Sequence, residues 1–127
     1  MIKVDQFGKD HWSTFGYIET RVVDHEGHLA KQHMRCDPTR HPAHAHAPGK
    51  CPSTRLRDGN IDNHDDWDCA EDLGTAGLIT IGGTDMYPVF ALTEEGVRVA
   101  SLLRAHKAKG GNFSTFRLDA TEHVEKP

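Results

Sequence analysis

Residues 63–100 read NHDDWDCAEDLGTAGLITIGGTDMYPVFALTEEGVRVA, and this stretch decides the fold class. Asn63 suits a helix N-cap, and Asp65, Asp66 and Asp68 favour the positive end of a helix dipole. Trp67, Ala70 and Leu73 recur at i, i+3 and i+6 and give one apolar face. Gly77 has the position and residue type of a helix C′ residue, so the expected helix runs from Asn63 to Gly77. Leu78 to Ile81 reads as a strand, Gly82-Gly83-Thr84-Asp85 as a turn, and Met86 to Leu92 as a second strand that Pro88 demotes to an edge. Thr93 then caps a helix from Glu94 to about Lys109, with Val99, Leu102, Leu103 and His106 on one side. Arg104, His106, Lys107 and Lys109 lie in its last turns, where cations are favoured, and Gly110-Gly111 ends it.

Upstream of this unit the pattern changes. Asp37 to Asp62 holds Pro38, Pro42, Pro48 and Pro52, which exclude a continuous helix or a central strand. A loop of this length is functional, disordered, or held by something other than a core. Further upstream, Trp12 to Val23 is rich in Thr, Val, Ile and aromatic residues and reads as a strand. Asp24-His25-Glu26-Gly27 has the composition of a tight turn, and His28 to Cys36 reads as the returning strand. Gly16 inside the first strand points to a bulge or a close backbone approach. Downstream, Phe113 to Leu118 is a candidate strand, and the end of the chain is expected to fray. The expected architecture is α+β in a single domain, 1–127. It comprises a β-hairpin (1–36), a His/Cys/Pro-rich loop (37–62), a helix–hairpin–helix unit (63–110) and a tail (111–127).

Composition narrows the function. The chain has 127 residues, a formal charge of −4, 36% hydrophobic and 27% charged residues. That suits one soluble domain with a modest core, and excludes a strongly basic nucleic-acid coat. No apolar run reaches the roughly 18 residues of a membrane helix. Lys3, Asp5 and Lys9 interrupt the N-terminus where a signal peptide needs an apolar centre, so the expectation is a cytoplasmic chain. In that compartment the three cysteines read as reduced thiols or metal ligands.

The ten histidines are the compositional signal, and several fall close to cysteines. His33-x2-Cys36, His41-x2-His44-x-His46 and Cys51 could supply the four N or S donors of a tetrahedral zinc site. The expected ligands are Cys36, His41 or His44, His46 and Cys51, with His33 or Cys69 as substitutes. The spacing matches no common zinc-finger pattern, and the plain alternative is a solvated His-rich loop. His64-Asp65-Asp66-Trp67-Asp68-Cys69 reads first as helix capping, and second as a divalent-cation or acid–base site tied to the loop. Asp10-His11-Trp12 pairs a histidine with a carboxylate, although Trp12 as a core anchor explains it as well. No P-loop, nucleophile elbow or dinucleotide fingerprint is present.

Two resemblances follow from these motifs. Asp68-Cys-Ala-Glu-Asp-Leu-Gly-Thr-Ala-Gly-Leu-Ile, Gly82-Gly83 and Pro88 to Ala100 resemble the second half of winged-helix domains. There, a helix ending before Gly-Leu-Ile leads into a two-stranded wing that closes on a Leu-Thr-x-x-Gly turn. Leu73, Gly77 and Leu78 match the first part, and Leu92, Thr93 and Gly96 the second. The resemblance covers about residues 64–109 and implies a regulatory binding domain. It also implies, as an alternative, DNA contacts by the wing and by Arg98, Arg104, Lys107 and Lys109. Winged-helix domains have two further helices ahead of this unit, where this sequence has the expected hairpin and loop. Separately, Asp24-His25 with Asn63-His64 loosely resembles ββα-metal nucleases of the HNH type, although the intervening loop is far longer and Asn and His are adjacent. That implies a metal-dependent hydrolase or nuclease centred on His25, His64 and the loop histidines. The chain as a whole is similar in look to small accessory proteins of phages and mobile elements. The leading expectation is a non-enzymatic binding or regulatory module with one structural Zn2+. Its partner is expected to be a protein, with DNA the alternative and a homodimer a further state.

Overall fold

The computed structural model describes residues 2–45 and 53–118. Among them the chain forms three α-helices, α1 (Lys9–His25), α2 (Asp66–Thr75) and α3 (Glu94–Ala108). It also forms two antiparallel two-stranded sheets, β1 (Ser53–Arg55) with β2 (Asn60–Asp62), and β3 (Ile79–Gly83) with β4 (Pro88–Leu92). The fold is α+β. No helix among the described residues is long and apolar enough to cross a membrane.

The C-terminal unit follows its sequence closely. Asp65, rather than Asn63, is the N-cap of α2; its carboxylate accepts from the Asp68 amide, and Asp68 returns the bond to the Asp65 amide in a capping box. Leu78 N–H donates to Leu73 C=O and Gly77 N–H to Gly74 C=O, a Schellman-type ending that needs the positive φ of Gly77. In the β3–β4 hairpin Ile79 faces Leu92 and Gly83 faces Pro88, with residues 84–87 as its tip. Thr93 accepts from the Gly96 amide and starts α3.

The expected N-terminal β-hairpin is overturned: Trp12 to Val23 lies in α1. Trp12, Phe15 and Ile18 are fully buried. A strand would send Trp12 and Ile18 to one face and Phe15 to the other, whereas a helix puts all three on one stripe. Burying each is worth about 1.5–3 kcal/mol, more than the few tenths by which β-branched residues disfavour a helix. The turn composition at 24–27 is a helix ending, in which Glu26 and Gly27 adopt positive φ and Gly27 N–H reaches back to Arg21 C=O. Asp24 and His25 therefore sit in or beside the last turn of α1, not at a hairpin tip. Gly16 marks a close approach, since a Cβ there would meet the Phe113 ring at 3.3 Å.

Two further expectations change. Among its described residues the 37–62 stretch has no helix, as its prolines require, but it contains the β1–β2 hairpin. The tail forms a turn at Asn112–Thr115 instead of a strand, and buries Phe116 and Leu118 in the core. The expected fraying beyond it lies outside the described residues. One core unites the molecule: Trp12, Phe15 and Ile18 of α1, Ala70 and Leu73 of α2, Phe90 of β4, and Val99 and Leu103 of α3.

The segment after α1 lies against β4. Phe90 N–H donates to Gly27 C=O at 2.9 Å, and His28 bridges Val89. A Cβ on Gly27 would stand 2.1 Å from Phe90 O, and its φ is +87°. Gly27→Ala should therefore destabilise the fold by at least about 1–3 kcal/mol in urea unfolding. Gly59→Ala, with nothing within 4 Å of the added atom, should stay within about 0.5 kcal/mol.

Candidate metal centre

The start of α2 gathers the polar chemistry of the molecule. Asp65 is fully buried, and its carboxylate accepts from the Asp37 amide at 2.7 Å, the Asp68 amide at 2.9 Å and His41 Nδ1 at 2.7 Å. Burial opposes its ionisation, but these hydrogen bonds prevail and hold its carboxyl below the usual range. Asp66 accepts from the Arg35 amide at 2.7 Å and its guanidinium at 3.0 Å. Arg40 reaches Asp68 at 2.8 Å. The Thr39 hydroxyl and amide bring Asp37 down to about 2. Carboxylates thus hold the first part of the proline-rich loop to α2.

A second network lies along α2. Asp72 Oδ2 meets both His11 Nε2 and His64 Nε2 at 2.8 Å. His11 comes from the first turn of α1, is fully buried, and stacks on Phe7 at 4.2 Å. Its Nδ1 has no hydrogen-bond partner. His64 Nδ1 faces the Thr54 hydroxyl at 2.7 Å, and Cys69 Sγ stands 3.6 Å from that hydroxyl and 3.9 Å from His64 Nδ1. Burial pushes the Cys69 thiol up. Burial also opposes the ionised Asp72, yet the hydrogen bonds to His11 and His64 outweigh it and keep its carboxyl below the ordinary value.

Donor atoms of His11, His64 and Cys69 lie within 4.8 Å of one another, as do those of His41, Asp68 and Glu71. These His/Cys/Asp groupings could hold a metal ion. The first is interior, with His11 and Cys69 wholly buried; the second is nearer the surface, and Arg40 already occupies its Asp68.

The expected loop ligands are placed as follows. His41 belongs to the second grouping. His44 stacks flat on Trp67 at 3.7 Å, and burial and the neighbouring His41 lower its pKa, so it acts as a neutral aromatic ring. Cys36 is buried in the core, and burial with Asp65 nearby pushes its thiol up to about 12. Among the described residues Cys36 and His44 join neither grouping. His46 and Cys51 lie outside the described residues. Of the substitutes, Cys69 joins the interior grouping and His33 sits exposed edge-on to Tyr17. His25 is exposed and, among the described residues, joins neither grouping.

Sequence reasoning missed Asp72, and it set His11 beside Asp10 without tying it to His64 and Cys69. The signal was His64-x4-Cys69-x2-Asp72, whose last two members lie one turn apart on a helix, but nothing local ties His11 to them. Comparison of the chain with protein-family models, with curated proteins and with solved structures finds no match.

Because Asp65 and Asp72 titrate lower in the folded chain than in the unfolded one, the stability they contribute is full above the ordinary carboxylate value of about 3.9. It is lost as pH falls through their depressed folded values. Urea midpoints of chelator-treated protein should fall slightly below about pH 6.5, where His44 resists protonation in the folded chain, and more steeply as the carboxylates protonate below about 5; Asp72→Asn should flatten the steep part while lowering the neutral plateau.

Proposed function

We propose that the chain is a small non-enzymatic binding module of winged-helix-like layout, acting through protein contacts and carrying one structural zinc. The order α1, α2, β3–β4 hairpin, α3 supports that layout, as does the pairing of the segment after α1 with β4. α1 stands where a helix ahead of the wing unit is needed. The place of a second is taken by a single 3-10 turn, Lys31–His33, and by the turns that follow it.

Charge placement carries the choice of a protein over DNA. α2 carries no cation of its own; Asp65 and Asp66 at its start are buried, and the accessible acids are half-buried Asp68 and exposed Glu71, a face that offers phosphates no attraction. The cations of α3 are engaged within the chain: Arg98 with Glu95, Arg104 with Glu19, and Lys107 over the Phe113 ring at 4.0 Å, while Lys109 is exposed. The hairpin tip instead presents Met86 and Tyr87, the latter 74% exposed. Exposed aromatic and methionine side chains suit a protein contact.

A photo-crosslinking residue in place of Tyr87 should give a discrete protein adduct in the native host, and the same residue at exposed Gln32 should not. In parallel, anisotropy with duplex DNA should show no binding that steepens as salt is lowered. Adducts to nucleic acid, or DNA binding with a steep salt slope, would replace the protein reading with the DNA one. Equal labelling from both positions would remove the wing tip as a contact.

A further inference from the structure

We infer that His11, His64 and Cys69 form a buried transition-metal site that joins α1 to α2, with Asp72 holding both imidazoles in place. The site gives the zinc of the binding-module reading a ligand set separate from the loop's. It rests on side-chain geometry alone, so metal-free protein would leave the partner experiment standing.

The argument begins with the hydrogen bonds. One carboxylate oxygen faces two imidazoles. The single Thr54 hydroxyl faces His64 Nδ1, the His64 carbonyl and Cys69 Sγ. Among the described residues His11 Nδ1 is left without a partner in a fully buried ring, which is costly. Protons alone do not complete this network.

A cation suits the same atoms. Zinc bonds of about 2.0–2.1 Å to nitrogen and 2.3 Å to sulfur put neighbouring donors about 3.3–3.6 Å apart. With the three His and Cys donors within 4.8 Å of one another, small side-chain rotations bring them onto one ion. Two imidazoles and a thiolate form a borderline set that favours zinc or cobalt over calcium or magnesium. Charge also balances, since a divalent ion with ionised Asp72 and Cys69 is neutral, as a buried centre requires. On binding, the Cys69 thiol proton passes to solvent; each imidazole stays neutral, presents Nδ1 to the metal and donates its Nε2–H to Asp72. The burial of His11, Cys69 and Thr54 keeps substrate out and makes the site structural.

Cobalt(II) added to chelator-treated protein is the probe, read by its visible bands and its thiolate-to-metal charge-transfer band. The wild type should take one cobalt per chain with that band. The Cys36→Ser/Cys51→Ser double variant, whose sole thiol is Cys69, should do the same. Cys69→Ser should lose the band, with affinity falling by more than the roughly 100-fold that outer-shell changes cause. Loss of the band in the double variant would overturn the site, as would its survival in Cys69→Ser or an absence of stoichiometric binding by the wild type. The double variant keeps the test decisive if Cys69→Ser does not fold.

Discussion

The buried carboxylate of Asp65 is the constraint around which the middle of the molecule is arranged. An ionised group at zero exposure is tolerable only if its lone pairs are filled, and here two backbone amides and an imidazole fill them. Two of those donors belong to the proline-rich loop and the third to α2. The loop has few apolar side chains of its own, so its path from Asp37 to His41 is set by where Asp65 needs donors. Asp66 does the same for Arg35, one step earlier in the chain.

α2 therefore serves three surroundings. Its first turn organises the loop, Ala70 and Leu73 enter the core, and Cys69 and Asp72 meet histidines from α1 and from its own approach. That division explains why so short a helix carries so many acids without self-repulsion: each of Asp65, Asp66, Asp68 and Asp72 has a cationic, amide or imidazole partner.

The sequence was legible where local signals and tertiary burial agree. Gly77 and Thr93 end and start their helices as their residue types dictate, and the β3–β4 hairpin lies within a few residues of its expected bounds. It misled where they compete. Thr14, Ile18, Thr20, Val22 and Val23 favour strands, yet the three-residue spacing of Trp12, Phe15 and Ile18 matched a buried helical stripe. Gly27 was ambiguous, because a tight turn and a helix ending ask for the same residue. The candidate centre was half legible: His64 and Cys69 stood out as neighbours, whereas His11 joins them only through the docking of α1, which no local pattern encodes.

The separation of that last contact in the chain has a kinetic side. His11 and Asp72 are 61 residues apart, while α2, the β3–β4 hairpin and α3 follow one another closely. Contacts between near neighbours form early in folding, and those that close long loops wait for them. If the docking of α1 follows the rate-limiting step, the His11–Asp72 contact is absent from the transition state. Interactions absent from the transition state slow unfolding and leave the folding rate unchanged. Whatever strengthens this centre would thus lengthen the lifetime of the folded molecule, altering only the unfolding arm of its denaturant kinetics.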